Sequence, residues 1–254
     1  MAGKFPFPSK AWLLAPAALV VLMAACGEGA APAACGELTP TRAALTQGNV
    51  FANPGFEGGA DPWCSLATET WGTPFSVSQQ QAHSGASSAF LQLRSQEGGE
   101  VRVFGVLQEV APEGFPDVLS GCYYVDRWEQ GTAKQYLQAV VIAFESSNLP
   151  PEVAQATNHQ LRYILAGVES QPTFISNARY VMLSDEPPKQ GEWVCFERNI
   201  RRDFQELWGA VPEGFSKLRI LFEVRWDDRQ PSDSPSAADV YYDDLYLGPA
   251  ATVD

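Results

Sequence analysis

Alternation of apolar and polar residues from Lys217 to Trp226 is the feature that most restricts the fold of this chain. Successive side chains of an extended strand point to opposite faces of a sheet, so this pattern predicts a strand with one buried face. The predicted buried face consists of Leu218, Ile220, Phe222, Val224 and Trp226, and the opposite face carries Arg219, Glu223 and Arg225.

Several other short segments also have strand character, and Gly, Pro, Asn and Ser turns separate them. A short helix is predicted at Arg201–Trp208, and Pro151–Leu165 is a second helical candidate. This organisation predicts an all-β fold with little helix, an antiparallel β-sandwich of the jelly-roll type. The predicted strands are Val101–Val110, Cys122–Trp128, Tyr136–Phe144, Trp193–Ile200 and Val240–Leu247, with shorter strand-like pieces at Arg162–Val168 and Tyr180–Leu183.

The N-terminus carries the pattern of an export signal. Lys4 and Lys10 precede the apolar stretch Ala11–Ala25, which is too short for a mature membrane-spanning helix. Leu-Met-Ala-Ala followed by Cys26 resembles the lipobox of bacterial lipoproteins. The resemblance implies cleavage after Ala25, lipidation of Cys26 and a mature chain held on a membrane outside the cytoplasm. The alternative is an ordinary cleaved signal in which Cys26 has no such role.

Three regions follow from these patterns. Residues 1–25 are predicted to be the lipoprotein signal peptide, residues 26–47 a flexible tether rich in Ala, Gly, Pro and Thr, and residues 48–250 one β-jelly-roll domain. Gly27, rather than Asp, directly follows the cysteine, which favours the outer membrane of a bacterium.

The negative net charge of the chain limits the kinds of molecule that it can bind. The formal net charge is -13, and signal cleavage would remove two lysines and no acid. Nucleic-acid binding needs Lys and Arg to neutralise phosphates, so nucleic acid is excluded as a partner. The acidity also argues against electrostatic docking on anionic lipid, which leaves the acyl chains as the expected membrane contact.

Four cysteines follow Cys26, and an even count in an oxidising compartment predicts two disulfides. Their spacing allows three connectivities. We favour Cys122 with Cys195, because both lie in predicted strands, and Cys35 with Cys64. Zinc is not predicted, because no Cys-x-x-Cys pair occurs.

Four segments, in order along residues 49–248, resemble carbohydrate-binding modules with the galactose-binding-like jelly roll. They are Asn53–Gly59 followed by Trp63, then Ala82–Gly85, then Gly191–Trp193, and finally Val240–Leu247. The resemblance implies this fold and a polysaccharide or glycoconjugate as the bound partner. The fold itself serves several functions, including adhesion.

The same resemblance implies a structural Ca²⁺ site. It would use Glu57 and Asp243 as side-chain ligands, with carbonyl groups near Asn53 and Ser84 as helpers. Ca²⁺ takes about six to eight oxygen ligands, which loop–strand junctions can supply. The alternative is that Glu57 caps its turn and Asp243 is solvated.

A sugar site needs aromatic faces and planar polar groups. Of the seven tryptophans, Trp63, Trp193 and Trp226 are predicted to lie in the core. A solvated sheet face would equally well explain a second group of polar and charged residues, namely Tyr124, Arg127, Arg219, Glu223 and Arg225. The predicted ligand-binding residues are Trp71, Trp128, Trp208, Tyr124 and Arg219. The three tryptophans lie near strand ends or in loops, where exposure is expected. Tyr124 and Arg219 are predicted to share one sheet face with Arg127, Glu223 and Arg225.

Catalysis has little support in the sequence. The two histidines, His83 and His159, accompany no Gly-x-Ser-x-Gly motif. The acidic residues offer many candidate glycosidase pairs, of which Glu197 and Glu223 are the least implausible, and nothing in the sequence distinguishes these two from surface charges. The predicted function is therefore a lipid-anchored, non-catalytic binding protein for polysaccharide or glycoconjugate. One alternative is an adhesive surface lipoprotein that binds another protein, and a second is a polysaccharide lyase or glycoside hydrolase.

Overall fold

Two β-sheets pack face to face in this protein. The structure is a computed structural model that describes residues 40, 45, 48–66, 74–95, 99–149 and 157–251. The elements are β1 (Cys64–Ser65), β2 (Ser76–Ser78), β3 (Ser88–Arg94), β4 (Arg102–Val110), β5 (Val118–Glu129), β6 (Lys134–Phe144), β7 (Asn158–Ala166), β8 (Ala178–Met182), β9 (Trp193–Asn199), α1 (Ile200–Trp208), β10 (Lys217–Asp227) and β11 (Ala237–Gly248).

The strand order is β1-β4-β10-β6-β7-β8 in the six-stranded sheet and β2-β3-β11-β5-β9 in the five-stranded sheet. Neighbouring strands are antiparallel except β7 and β8, which are parallel. One helix accompanies the strands in the described residues. The predicted all-β sandwich is confirmed.

The predicted buried face of β10 lies between the two sheets. Phe222 has no solvent exposure, and its ring is 5.7 Å from Tyr242 of the opposite sheet and 6.2 Å from Trp63. Strand β10 is paired along its whole length with β4 and β6, so its apolar face reaches the middle of the core. The alternation seen in the sequence therefore predicts the buried face correctly.

Helix α1 confirms the prediction at Arg201–Trp208. The Asn199 side chain accepts a hydrogen bond from the Arg202 backbone N–H at 2.8 Å, and Gly209 ends the helix with a φ of 83°. Such a cap satisfies one N–H at the start of a helix, and glycine adopts this positive φ without strain.

The helical candidate at Pro151–Leu165 is wrong over its described part. Residues 158–166 form strand β7, whereas residues 150–156 lie outside the described residues. Every second side chain of this strand points into the core, namely Leu161, Tyr163 and Leu165. Strand β7 pairs with β6 on one side and β8 on the other, and this pairing makes the segment a strand although its local sequence pattern is ambiguous.

The predicted disulfide between Cys122 and Cys195 is confirmed. It joins two directly paired residues of β5 and β9, with Cα atoms 4.0 Å apart. Cys64 is also disulfide-bonded, but its predicted partner Cys35 lies outside the described residues, so that pairing stays a prediction.

The predicted signal peptide, Cys26 and most of the tether also lie outside the described residues. Across the part of the chain that the structure describes, no helix is long and apolar enough to cross a bilayer.

Replacing both Cys122 and Cys195 by Ala is expected to lower the free energy of unfolding by about 3 kcal/mol, because the bridge restricts the unfolded chain across a sequence separation of 73. Urea denaturation under oxidising conditions measures this. The adjacent cross-strand pair provides a control, because Ser120→Ala with Glu197→Ala alters the same strands without breaking a covalent bond. Equal stability of the cysteine double variant and the wild type would contradict the prediction.

Candidate functional site

The outer side of the six-stranded sheet carries a cluster of polar side chains near its centre. On this side, Glu223 lies opposite Gln138, and Arg225 lies opposite Tyr136. Further along the sheet, Arg162 of β7 pairs with Tyr180 of β8. We call this cluster the polar face: Tyr136, Gln138, Arg162, Tyr180, Glu223, Arg225 and Asp227.

Local sequence explains why these side chains point outward. The apolar residues of β10 take the inner side, so the intervening Glu223 and Arg225 must take the outer side. Gly105 of β4 pairs with Glu223, and a Cβ at that glycine would lie 3.2 Å from the Glu223 Cγ atom. The missing side chain at Gly105 gives the carboxylate room. An apolar group flanks the polar face and includes Leu107, Val140 and Leu221.

Arg225 connects the two carboxylates of the polar face. Its side chain is 93% shielded from solvent, its Nη2 donates to Asp227 Oδ1 at 2.6 Å, and its Nη1 lies 3.7 Å from Glu223 Oε2. Burial alone would lower the pKa of Arg225, but the negative charges around it raise that pKa above its usual range. The guanidinium therefore stays charged.

Two neutral side chains complete this network. The Tyr136 hydroxyl donates to Asp227 Oδ2, and the Gln138 amide donates to Glu223 Oε2. Burial raises the pKa of Tyr136, so its phenol keeps the proton that it donates. Each carboxylate thus accepts a bond from a neutral donor and faces one shared guanidinium.

Four buried atoms of the polar face have no hydrogen-bond partner: Gln138 Oε1, Arg162 Nη1, Tyr180 Oη and Arg225 Nε. Buried polar atoms in native proteins nearly always have a partner, because leaving one unpaired costs about 1–3 kcal/mol. A polar molecule that displaces the groups covering these atoms could supply the partners. The polar face can therefore form up to four further hydrogen bonds, with an amide acceptor, two guanidinium donors and a phenol.

An exposed aromatic residue lies near the Asp227 end of the polar face. Lys134, which pairs with Asp227, donates from Nζ to the carbonyl oxygen of Pro172 at 2.7 Å in the connection between β7 and β8. Phe174, two residues further on, is 83% exposed. Phe174 thus lies in the connection that Lys134 contacts, and its exposed ring is free to contact another molecule.

The outer side of the five-stranded sheet has a different character. Phe90, Tyr241, Tyr124 and Trp193 lie in one row across β3, β11, β5 and β9, with successive ring centroids 4.8, 6.1 and 5.6 Å apart. We call these four residues the aromatic row. Neighbouring rings are tilted by 31° to 71°, so the row is uneven and does not form one flat platform.

The expectation that Tyr124, Arg127, Arg219, Glu223 and Arg225 share one face is wrong. Arg219, Glu223 and Arg225 do share the outer side of the six-stranded sheet, whereas Tyr124 and Arg127 belong to β5 of the other sheet. Which strands share a sheet depends on pairing over long sequence separations, which alternation within one strand does not reveal.

The expected exposure of Trp128 and Trp208 is also wrong, since both side chains are buried. The Trp128 Nε1–H donates to the Gln130 side chain at 3.3 Å, and the guanidinium of Arg179 lies 3.9 Å from the Trp208 ring centroid. Trp208 is therefore covered within the protein. Trp71 lies outside the described residues, and its predicted role stays a prediction.

The core tryptophans were predicted in part. Trp63 and Trp226 are almost fully buried, as expected, but Trp193 is only half-buried and belongs to the aromatic row.

Glu197 and Glu223, the candidate catalytic pair in the sequence, lie on different sheets. They are therefore separated by the core and cannot act on one bond.

Glu57 and Asp243 meet at the turn of residues 83–87, as the resemblance implied. Glu57 Oε1 accepts hydrogen bonds from the backbone N–H groups of residues 86 and 87 at 2.8 Å each. Asp243 Oδ2 accepts from those of residues 83 and 84 at 2.7 and 3.2 Å. Asp243 has no solvent exposure, so the solvated alternative is wrong, and burial raises the pKa of its carboxyl group.

Asn53 and Ser84 have other contacts nearby. The Asn53 carbonyl oxygen accepts from Trp63 Nε1 at 2.8 Å and from the Phe56 N–H at 3.2 Å, which uses both of its lone pairs. Asn53 therefore holds its loop, and its role as a metal ligand stays a prediction. The Ser84 hydroxyl donates to Asp244 Oδ1 at 2.6 Å.

Comparison with known proteins finds no matching family model and no matching curated protein. Solved structures do match. A xylan-binding domain of carbohydrate-binding module family 22 is 12% identical, with a TM-score of 0.44, over 82% of this chain and 98% of that one. A family 61 module in complex with β-1,4-galactotriose is 14% identical, with a TM-score of 0.41, over 78% and 97%.

A β-1,2-glucanase from Parabacteroides distasonis also matches, at 16% identity and a TM-score of 0.37, over 76% of this chain and 23% of that one. At these identities the similarity concerns the path of the chain and not its side chains.

Replacing Asp227 by Asn is expected to lower the free energy of unfolding by about 3 kcal/mol, because the buried Arg225 loses its nearest counter-charge. The matched control is Asp228→Asn. Its carboxylate pairs with Lys134 at 2.7 Å but is 61% exposed, so a change below about 1 kcal/mol is expected. Chemical denaturation compares the two, and equal effects would show that the Arg225 network does not stabilise the fold.

Proposed function

We propose that the polar face binds carbohydrate. The observation that carries this proposal is the group of four buried polar atoms without a partner on one side of one sheet. Sugar hydroxyl groups both donate and accept hydrogen bonds, so they can satisfy the amide oxygen, the guanidinium N–H groups and the phenol together.

The extent of the polar face favours a chain of sugars over a single one. Its unpartnered atoms lie on β10, β6, β7 and β8, which are successive neighbours in the sheet. Neighbouring strands are about 4.8 Å apart, so the atoms span about 14 Å across the sheet. This is longer than one sugar ring. Phe174 and Tyr180 add aromatic surface that can contact the C–H side of a sugar.

The charges of the polar face support binding without catalysis. Glu223 and Asp227 both face the guanidinium of Arg225. A glycosidase instead needs one carboxyl group that holds a transferable proton and a second group that acts as nucleophile or base. The two carboxylates serve here to hold Arg225, Tyr136 and Gln138 in place for a ligand.

We also propose that a structural Ca²⁺ binds between Glu57 and Asp243, with the backbone carbonyl of Ser84 as a helper. The donor set fits, because both carboxylates point at the same turn and supply the oxygen ligands that Ca²⁺ prefers. Carboxylate oxygens can accept more than one contact, so their bonds to backbone N–H groups leave coordination capacity. The ion would neutralise the buried Asp243 and fix the turn on β11.

Export and lipid anchoring complete the proposal. A disulfide between paired strands suits an oxidising compartment, which supports a location outside the cytoplasm. The lipobox-like sequence would then attach Cys26 to a bacterial membrane, the outer one by the presence of Gly27. The predicted tether at 26–47 would leave the polar face accessible to polysaccharide.

A protein partner is the second candidate, and the aromatic row favours it. Aromatic side chains are enriched at protein interfaces. Trp193→Ala separates the two functions, because it alters the aromatic row and leaves the polar face untouched.

Gln138→Ala is expected to weaken polysaccharide binding about tenfold, because the variant removes an amide aimed into the centre of the polar face. Affinity electrophoresis with the chain lacking its signal peptide measures this, and circular dichroism checks the fold. Arg127→Ala on the other sheet is the control and should bind normally. Failure of the folded wild type to bind any polysaccharide, or normal binding by Gln138→Ala, would overturn the proposal.

Removal of Ca²⁺ with EDTA is expected to lower the melting temperature by about 5–10 °C, since a hundredfold excess of ligand over its Kd stabilises by about 2.7 kcal/mol. Ca²⁺ should restore the melting temperature and Mg²⁺ should not. In the Glu57→Gln variant the EDTA-induced shift should be smaller. An unchanged melting temperature in the wild type would argue that Glu57 and Asp243 only cap the turn.

A further inference from the structure

We infer that the polar face selects an acidic polysaccharide, with a sugar carboxylate received by Arg162 and Tyr180. This inference rests on the proposed carbohydrate binding and adds the class of sugar. It starts from a difference among the described arginines of the two sheets: several are paired with a carboxylate, and Arg162 is not.

Arg162 has only a neutral acceptor among the described residues. Its Nε and Nη2 both donate to the amide oxygen of Gln160, at 3.0 and 2.8 Å. Its Nη1 is buried and has no partner. The register of β7 with Val140 of β6 and Tyr180 of β8 places Arg162 on the outer side of the sheet, within the polar face.

Several other arginines with partly or fully buried side chains are paired with carboxylates. Arg225 meets Asp227 at 2.6 Å, Arg219 meets Glu109 at 2.6 Å, and Arg198 meets Asp203 at 2.9 Å. A charge withdrawn from water is costly unless it is paired, so this pattern is the expected one. In the described part of the chain, Arg162 has no such carboxylate and donates only to the Gln160 amide oxygen. The missing counter-charge is therefore assigned to the ligand.

Tyr180 provides a second donor at the same place. It is the residue of β8 directly paired with Arg162, and its hydroxyl oxygen is buried without a partner. Burial raises the pKa of Tyr180, so the phenol keeps its proton. A guanidinium N–H and a phenol O–H on adjacent strands can each donate to one oxygen of a carboxylate, and hydrogen bonds to a charged acceptor are the stronger ones.

Because the protein is negatively charged overall, an acidic polysaccharide would have to be recognised through short-range contacts within the polar face. With a formal net charge of -13, the chain does not attract a polyanion over long distances. Within the polar face, Glu223 and Asp227 are both paired with Arg225 and neither is paired with Arg162, so the charge of Arg162 is available to a ligand carboxylate. The selectivity is therefore expected to depend on Arg162 itself.

The experiment compares acidic polysaccharides with their neutral counterparts of the same linkage. Polygalacturonate, alginate and glucuronoxylan are each titrated beside their carboxyl-reduced forms by calorimetry, with the chain lacking its signal peptide. A sulfated galactan tests whether sulfate replaces carboxylate. The wild type is expected to bind at least one acidic polymer about tenfold more tightly than its reduced form.

Arg162→Gln is expected to remove this preference and to retain binding to the reduced form. Tyr180→Phe should reduce the preference about fivefold and serves as a second variant if Arg162→Gln fails to fold. Arg127→Gln, an exposed arginine on the five-stranded sheet, is the control and should keep the full preference.

The outcomes separate the two proposals. Binding to neutral and acidic forms with equal affinity would overturn the inference and leave carbohydrate binding intact. A preference for acidic forms that survives in both Arg162→Gln and Tyr180→Phe would also overturn it. Binding to none of the polymers or their reduced forms would overturn both. A preference for the sulfated galactan alone would replace carboxylate by sulfate and contradict the inference as stated.

Discussion

The structure depends most on the pairing of β10 with β4 and β6 along the full length of the strand. This pairing buries one side of β10 in the core and presents Glu223, Arg225 and Asp227 together on the other. Because Arg225 lies between the two carboxylates, the three charges satisfy one another in a place with little solvent. The same strand thus stabilises the sandwich and positions the polar face.

The five-stranded sheet is held by different means. Glu57 and Asp243, far apart in sequence, bind neighbouring N–H groups of one turn, and a disulfide links β5 to β9. These contacts fix the loop and the edge of the sandwich away from the polar face. A Ca²⁺ ion at the turn would act there as a structural element. Loss of the ion would therefore affect stability before it affects the proposed ligand contacts.

The sequence predicts the fold well where a local pattern decides it. The alternation in β10, the short helix α1 and the pairing of Cys122 with Cys195 were all predicted, as was the meeting of Glu57 with Asp243. It predicts only part of the polar face, since Glu223 and Arg225 stand out in β10. Arg162 and Tyr180 become neighbours through the parallel pairing of β7 with β8, which no period within either strand reveals. Tryptophans near strand ends were expected to be exposed, but Trp128 and Trp208 are buried, and residues of β7 and β8 cover the Trp208 ring.

The most direct test of this account is a crystal structure of the protein with a bound oligosaccharide. The account predicts a sugar chain lying across β10, β6, β7 and β8 on the outer side of the six-stranded sheet. Gln138 Oε1 and Arg162 Nη1 should each lie within hydrogen-bond distance of the sugar. A sugar bound instead on the aromatic row of the five-stranded sheet, with the polar face unchanged, would contradict the account.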